Sequence, residues 1–194
     1  VDIDKGRDNA TLALAALLER TRLPLYLASL EGGTAANAIP RDARALVGVK
    51  ENDAATFREA FKAAAAERRL SLGAKDPGLE AALAPAQESP TLALGPTEAS
   101  SLLAVLGALP NGLQAMEPDM PGLIRTSLNL GTLKAKVEGT AFSAEVTVMI
   151  RSSSDDEKAS LAETVERRLE GAADHGWSVS RSRPSESPAW SPNN

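Results

Sequence analysis

Asn37 and Arg151 are the two side chains whose setting points to chemistry on a small ligand. Asn37 stands in Gly32-Gly33-Thr34-Ala35-Ala36-Asn37-Ala38-Ile39-Pro40-Arg41. Two glycines let the backbone turn and Pro40 keeps its predecessor extended, so the asparagine is expected on an irregular segment between two strands. Its amide offers one acceptor and two donors, enough to orient a ligand carboxylate or amide without adding charge. The competing reading is a turn asparagine bonded to its own backbone. Arg151 closes a run in which Phe142, Ala144, Val146, Val148 and Ile150 alternate with Ser143, Glu145, Thr147, Met149 and Arg151, which puts it at a strand end on the polar face. There a guanidinium can hold a carboxylate through two parallel hydrogen bonds, and a charged hydrogen bond is worth about 1.5 to 3 kcal/mol. Alternatively it pairs with Glu145 or a helix-start acid at the surface, worth about 0 to 1 kcal/mol. Ser127 and Asn129, on one face of the preceding strand, are secondary candidates for lining the same cavity.

Other chemistry finds less support. Arg151-Ser152-Ser153-Ser154 precedes a helix and suggests a phosphate site, but Asp155, Asp156 and Glu157 would repel the anion. Those acids suit a helix N-terminus, with Ser154 and Glu157 forming a capping box, better than a metal site. His175 lies in the turn Asp174-His175-Gly176. With that one histidine and no cysteine, a zinc centre built from this chain alone is not expected, nor is a Ser-His-Asp or Cys-His arrangement. A net charge of −5 argues against nucleic acid as the main partner. No apolar run is long enough to span a membrane, and no signal peptide is evident. The chain opens at Val1, which suggests a processed or excised piece.

The elements that must position Asn37 and Arg151 follow from periodicity. With 43% hydrophobic residues and few aromatics, the core has to come from Ala, Leu and Val. Val1 to Asp4 reads as the tail of a strand. Asp8 or Asn9 caps a helix with Ala10, Leu14, Leu17, Leu18 and Thr21 on one face. Leu23–Leu30 and Ala43–Val49 are strands joined by the Asn37 segment. Asn52 or Asp53 caps a second helix presenting Phe57, Ala60, Phe61 and Ala64, and a short strand is expected at Leu70–Leu72. Residues 73–90 form a Gly/Pro/Ala-rich connection, with one helical turn expected at Leu79–Leu83. Thr91–Gly95 is a strand. Thr97 caps a third helix carrying Leu102, Val105, Leu106 and Leu109, and Pro110-Asn111-Gly112 stops it. The segment from there to Pro121 is loop-like. Thr126–Val137 and Ala141–Arg151 form a hairpin, followed by a fourth helix with Leu161, Val165 and Leu169 inward. A last strand is expected at Trp177–Arg183, then a linker at 184–194.

The order repeats. Residues 1–72 and 91–183 each read as strand, helix, strand, strand, helix, strand. Ser29-Leu30-Glu31-Gly32-Gly33-Thr34 also agrees with Ser127-Leu128-Asn129-Leu130-Gly131-Thr132 at four of six positions. The expected fold is α+β: two tandem ferredoxin-like (split βαβ) units, edge to edge in a long antiparallel sheet with helices on one face. An exposed sheet edge offers a route to homodimers.

Val1 to Ala10, Gly32-Gly33-Thr34 with Asn37-Ala38-Ile39-Pro40-Arg41, Thr126 to Gly131, Ile150-Arg151-Ser152 and Pro188-Ala189-Trp190 together resemble the lid domain of the aminoacyl-histidine dipeptidases, the carnosinase-like peptidase D group of di-zinc metallopeptidases. The resemblance covers nearly the whole chain in order. It implies a cytoplasmic parent enzyme whose separate catalytic domain carries the two zinc ions, with no cofactor in this chain. It also implies that Asn37 reaches the substrate near the scissile bond and that Arg151 reaches its C-terminal carboxylate. The histidine that lids of this group contribute has no match here. By that reading the chain is a lid that closes over a dipeptide and is not catalytic alone. A regulatory amino-acid-binding module of paired ferredoxin-like units is the alternative, and an acylphosphatase-like enzyme using Arg151 lacks the glycine-rich cradle it would need. Arg22, Arg41 and Arg125 compete with Arg151 for the carboxylate.

Overall fold

The computed structural model describes residues 3–87, 90–175 and 177–182. It is a mixed α+β fold in which a curled, five-stranded antiparallel sheet packs with four helices. In chain order these are α1 (Ala10–Arg20), β1 (Tyr26–Gly32), β2 (Ala43–Gly48), α2 (Ala54–Leu72), α3 (Pro96–Ala108), β3 (Gly112–Met116), β4 (Ile124–Glu138), β5 (Ala141–Ser152) and α4 (Asp155–Glu170).

The long hairpin organises the sheet. On one edge β4 pairs with β5 from Thr126↔Ser152 to Glu138↔Ala141. Its other edge is shared: β3 takes Ile124 to Leu128, and β1 takes Leu133 to Lys136. β2 lies outside β1. Leu128, Leu130, Leu133 and Ala135 of β4 and Leu27 and Leu30 of β1 enter one apolar cluster, which also takes Leu17 and Leu18 of α1, Phe57 and Phe61 of α2, Leu102 and Leu106 of α3 and Val165 of α4. Register shifts between Leu27 and Ser29 and between Leu130 and Thr132 let each flanking leucine pair share the core face, since one extra residue reverses the alternation. On β5, the alternating Phe142, Ala144, Val146, Val148 and Ile150 pack against the same cluster, as their period requires.

Several local expectations change. Ile3–Lys5 is a single 3₁₀ turn, and Val1 and Asp2 lie outside the described residues. Leu70–Leu72 is not a strand: nothing breaks the helical run before Gly73, so α2 continues through Leu72 and leaves Leu70 on its solvent side. Leu79–Leu83 is irregular. Leu94 makes only an isolated bridge to Leu27. Gly95, followed by Pro96 in the first turn, caps α3 in place of Thr97, which suits proline's fixed φ. Gly112–Met116, expected as loop, is a strand because β4 is long enough to offer it a ladder. Trp177–Ser182 is not a strand. Side chains hold it instead, with Trp177 edge-on to Phe142 at 6.1 Å and Arg181 bonded to Glu166. Arg183 and the linker 184–194 lie outside the described residues.

α1 and α4 start on their expected cap residues; Asp53 precedes α2 without a side-chain cap bond, and the Ser154–Glu157 capping box forms on one side only, because the Glu157 carboxylate turns to Arg125 and Thr126. Asn9 Oδ1 accepts from the Thr11 and Leu12 amides, and Ser154 Oγ accepts from Glu157 N–H. α1 is wrapped more completely than one stripe implies, because α2, α3 and the sheet all pack on it. Ahead of α1, Asp8 receives two bonds from Arg68 of α2 at 2.5 and 2.7 Å, while its own N–H donates to Asp76. These bonds hold the Arg68 guanidinium pKa above its usual value. Asp8→Ala should therefore cost about 1.5 to 3 kcal/mol, the range for bonds to charged groups, read as a lower urea midpoint at unchanged slope.

Candidate functional site

The site begins on the face of β4 that turns away from the core. Leu128 and Leu130 point inward, so Ser127 and Asn129 share the opposite face, each 6% exposed. Arg151 of β5 stands directly across from Ser127, and Met149 across from Asn129. Arg151 and Asn129 are thus a diagonal cross-strand pair, about 7 to 8 Å apart in such geometry.

Residues 33–42 are laid against this face. Gly33 has φ +75°, and a Cβ on it would collide with the Gly131 carbonyl oxygen. Gly131 in turn lies so close to Ala35 and Ala36 that it has no room for a side chain. Glycine at both positions is what lets loop and strand cross in contact. The Gly33 N–H bonds the Asp42 carbonyl at 3.4 Å, closing the loop at its base, and the Pro40 carbonyl accepts from Ala10 N–H at the start of α1. A further turn runs from the Ala35 carbonyl to Ala38 N–H at 3.2 Å and carries Asn37. The Asn129 amide donates to the carbonyls of Ala36 at 2.9 Å and Ala38 at 2.8 Å, the residues on either side of Asn37. Asn37 is exposed, and its side chain takes no hydrogen bond among the described residues, so the self-bonded turn asparagine does not form.

Arg151 is likewise exposed and makes no ion pair among the described residues. One of the helix-start acids expected to pair with it is engaged elsewhere. Glu157 at the start of α4 is held by Arg125 at 2.8 Å and by the Thr126 hydroxyl. Arg125 is thereby committed, Arg22 sits past the far end of α1, and Arg41 lies exposed on the loop itself. The serines after Arg151 are used internally. Ser152 Oγ accepts from Ser154 N–H and bonds Thr126 Oγ1, Ser153 donates to Glu117, and Ser154 caps α4. A carboxylate therefore already stands at the proposed phosphate position. Among the described residues no three His, Cys, Asp or Glu side chains are placed to hold a metal ion, and no helix is long and apolar enough to cross a membrane.

What the periodicity missed is a set of amides behind the loop. Between the β3 and β1 ladders, Leu130 of β4 gives its N–H to Asn111 Oδ1 at 2.9 Å, and its carbonyl accepts from Asn9 Nδ2 at 2.8 Å. Asn9 and Asn111 were legible only as a helix cap and a helix stop. The signal for their second role is the gap in pairing, and that appears only once the strands are assembled.

No protein-family model and no curated protein matches this chain. A solved structure does: the aminoacylhistidine dipeptidase from Vibrio alginolyticus superposes with a TM-score of 0.76 at 25% identity over 89% of this chain. The chain has the fold of one part of that dipeptidase. It spans 34% of the dipeptidase's length.

Proposed function

We propose that this chain is the lid of a cytoplasmic di-zinc dipeptidase acting on Xaa-His dipeptides, docking on the catalytic domain of the same enzyme. One observation carries the reading: in a fold shared with part of an aminoacylhistidine dipeptidase, an exposed Asn37 on a tethered loop and an Arg151 with no acid partner among the described residues flank the same stretch of β4. The Arg151 fork takes the C-terminal carboxylate through two parallel bonds, and Asn37 Nδ2 donates to the peptide carbonyl oxygen as negative charge develops on it. Closure of the lid excludes water and fixes both contacts. The zinc pair, held outside this chain, supplies the activated water when bound. The β1–β4 ladder joins the two halves of the chain in one antiparallel sheet, as a lid of two edge-to-edge ferredoxin-like units requires, although the expected strands at Leu70–Leu72 and Trp177–Ser182 do not form.

The test is Asn37→Ala in the intact polypeptide that carries this chain. Losing a donor to an oxygen that becomes negative in the transition state should lower kcat/KM about 100-fold with zinc content unchanged. Unchanged kinetics would return Asn37 to an ordinary turn. This chain alone, with zinc added, should not hydrolyse an Xaa-His dipeptide, since one histidine and no cysteine cannot furnish a two-metal ligand set; hydrolysis would overturn the lid reading.

A further inference from the structure

We propose that Asn129 is a positioning residue for Asn37 and that it donates no hydrogen bond to the ligand. Its Nδ2 carries two hydrogens, and both are spent on the carbonyls of Ala36 and Ala38, which bracket Asn37. That assigns the amide's orientation without ambiguity, because the flipped form would set Oδ1 against two carbonyl oxygens. Oδ1 is buried and has no hydrogen-bond partner among the described residues. A buried acceptor left unsatisfied is costly, so the double donation to the loop is what holds the amide in this pose. Asn129 therefore has no donor left for a substrate, although residue type alone made it a candidate for lining the cavity.

The handle is itself braced. Asn9 and Asn111 fix both backbone groups of the next residue, Leu130, and Asn9 also caps α1, whose first amide holds the Pro40 carbonyl at the far end of the loop. Asn37 is thus referenced to β4 and α1 through three buried or half-buried amides. Its own turn contributes one backbone bond.

The consequence for turnover rests on the lid reading; the positioning itself does not. Asn129→Asp keeps the shape, removes both donors and places a carboxylate against two carbonyls. In this chain, hydrogen exchange of residues 33–42 should accelerate about tenfold or more in N129D, from the loss of two hydrogen bonds, with α4 unchanged. Unchanged exchange, or acceleration spread evenly over the fold, overturns the proposal. If N129D does not fold, the wild-type chain gives a second measurement by NMR. The Nδ2 protons of Asn129 should exchange with water at least about tenfold more slowly than those of exposed Asn37, and equal rates overturn the proposal. In the intact polypeptide, N129D should lower kcat/KM, and the N37A/N129D double variant should lose no more than N37A alone. Fully additive losses overturn the link to Asn37. A loop that opens in N129D while N37A leaves kinetics unchanged upholds the positioning and removes the lid reading.

Discussion

Arg151→Ala in the intact polypeptide should raise KM for an Xaa-His dipeptide about 10- to 100-fold and leave bound zinc unchanged. The magnitude is that of one charged hydrogen bond to a carboxylate, about 1.5 to 3 kcal/mol, with each 1.4 kcal/mol a factor of ten. Arg151 has that capacity to give, because no acid among the described residues pairs with it, and Glu157, one of the helix-start carboxylates, belongs to Arg125 and Thr126. Arg151→Lys should recover only part of the loss, since an ammonium keeps the charge but not the planar fork. Arg125→Ala is the control. It should lower stability by releasing Glu157 and leave KM alone. A dipeptide with an amidated C-terminus separates the remaining explanations. Wild type should lose affinity for it by the same factor that Arg151→Ala loses for the free acid, and the variant should not discriminate between the two. A variant that still discriminates would move the carboxylate contact to another residue, and Arg41, exposed on the loop, is the one to test next.

Legibility followed the range of the interactions. The β4–β5 hairpin, the Ser154 cap of α4 and the inward side of α2 are written in spacings of two to four residues, and their side chains stand where the alternation puts them. The Asn37 loop was legible for the same reason: its glycines and proline mark it locally. β3 was not. Gly112-Leu113-Gln114-Ala115-Met116 lacks the β-branched alternation of a strand and becomes one because the first half of β4 has a free edge. The reverse holds at Trp177–Ser182, where a strand-like composition is overruled by the Phe142 and Glu166 contacts.

The site divides the same way. Residue types singled out Asn37, Arg151, Ser127 and Asn129, and the fold sets the last three on one face of the hairpin with the Asn37 loop against it. Their division of labour was hidden. Asn129 reaches carbonyls 93 and 91 positions away in the chain, and no local pattern distinguishes an amide that binds a ligand from one that holds a loop.

Gly33→Ala should be the most damaging small substitution near the site, costing about 3 kcal/mol of stability. Two effects act together. At φ +75° an L-residue is strained by about 1 to 2 kcal/mol, and the new methyl would strike the Gly131 carbonyl, an overpacking cost of about 1 to 3 kcal/mol. Backbone is what it strikes, so no side chain can swing aside. Gly139→Ala isolates the first effect. Gly139, in the β4–β5 turn, has φ +64° and nothing within 4 Å of where a methyl would stand, so its cost should be about 1 kcal/mol. The difference between the two urea-derived stabilities therefore measures the crossing of loop and strand. If the two variants lose equal stability, the loop does not lie on Gly131, and Asn37 loses the contact that places it above the β4 face. If Gly33→Ala costs the larger amount, the second glycine of the pair exists to let the loop pass Gly131, and the position of Asn37 is set by that approach as much as by the amide of Asn129.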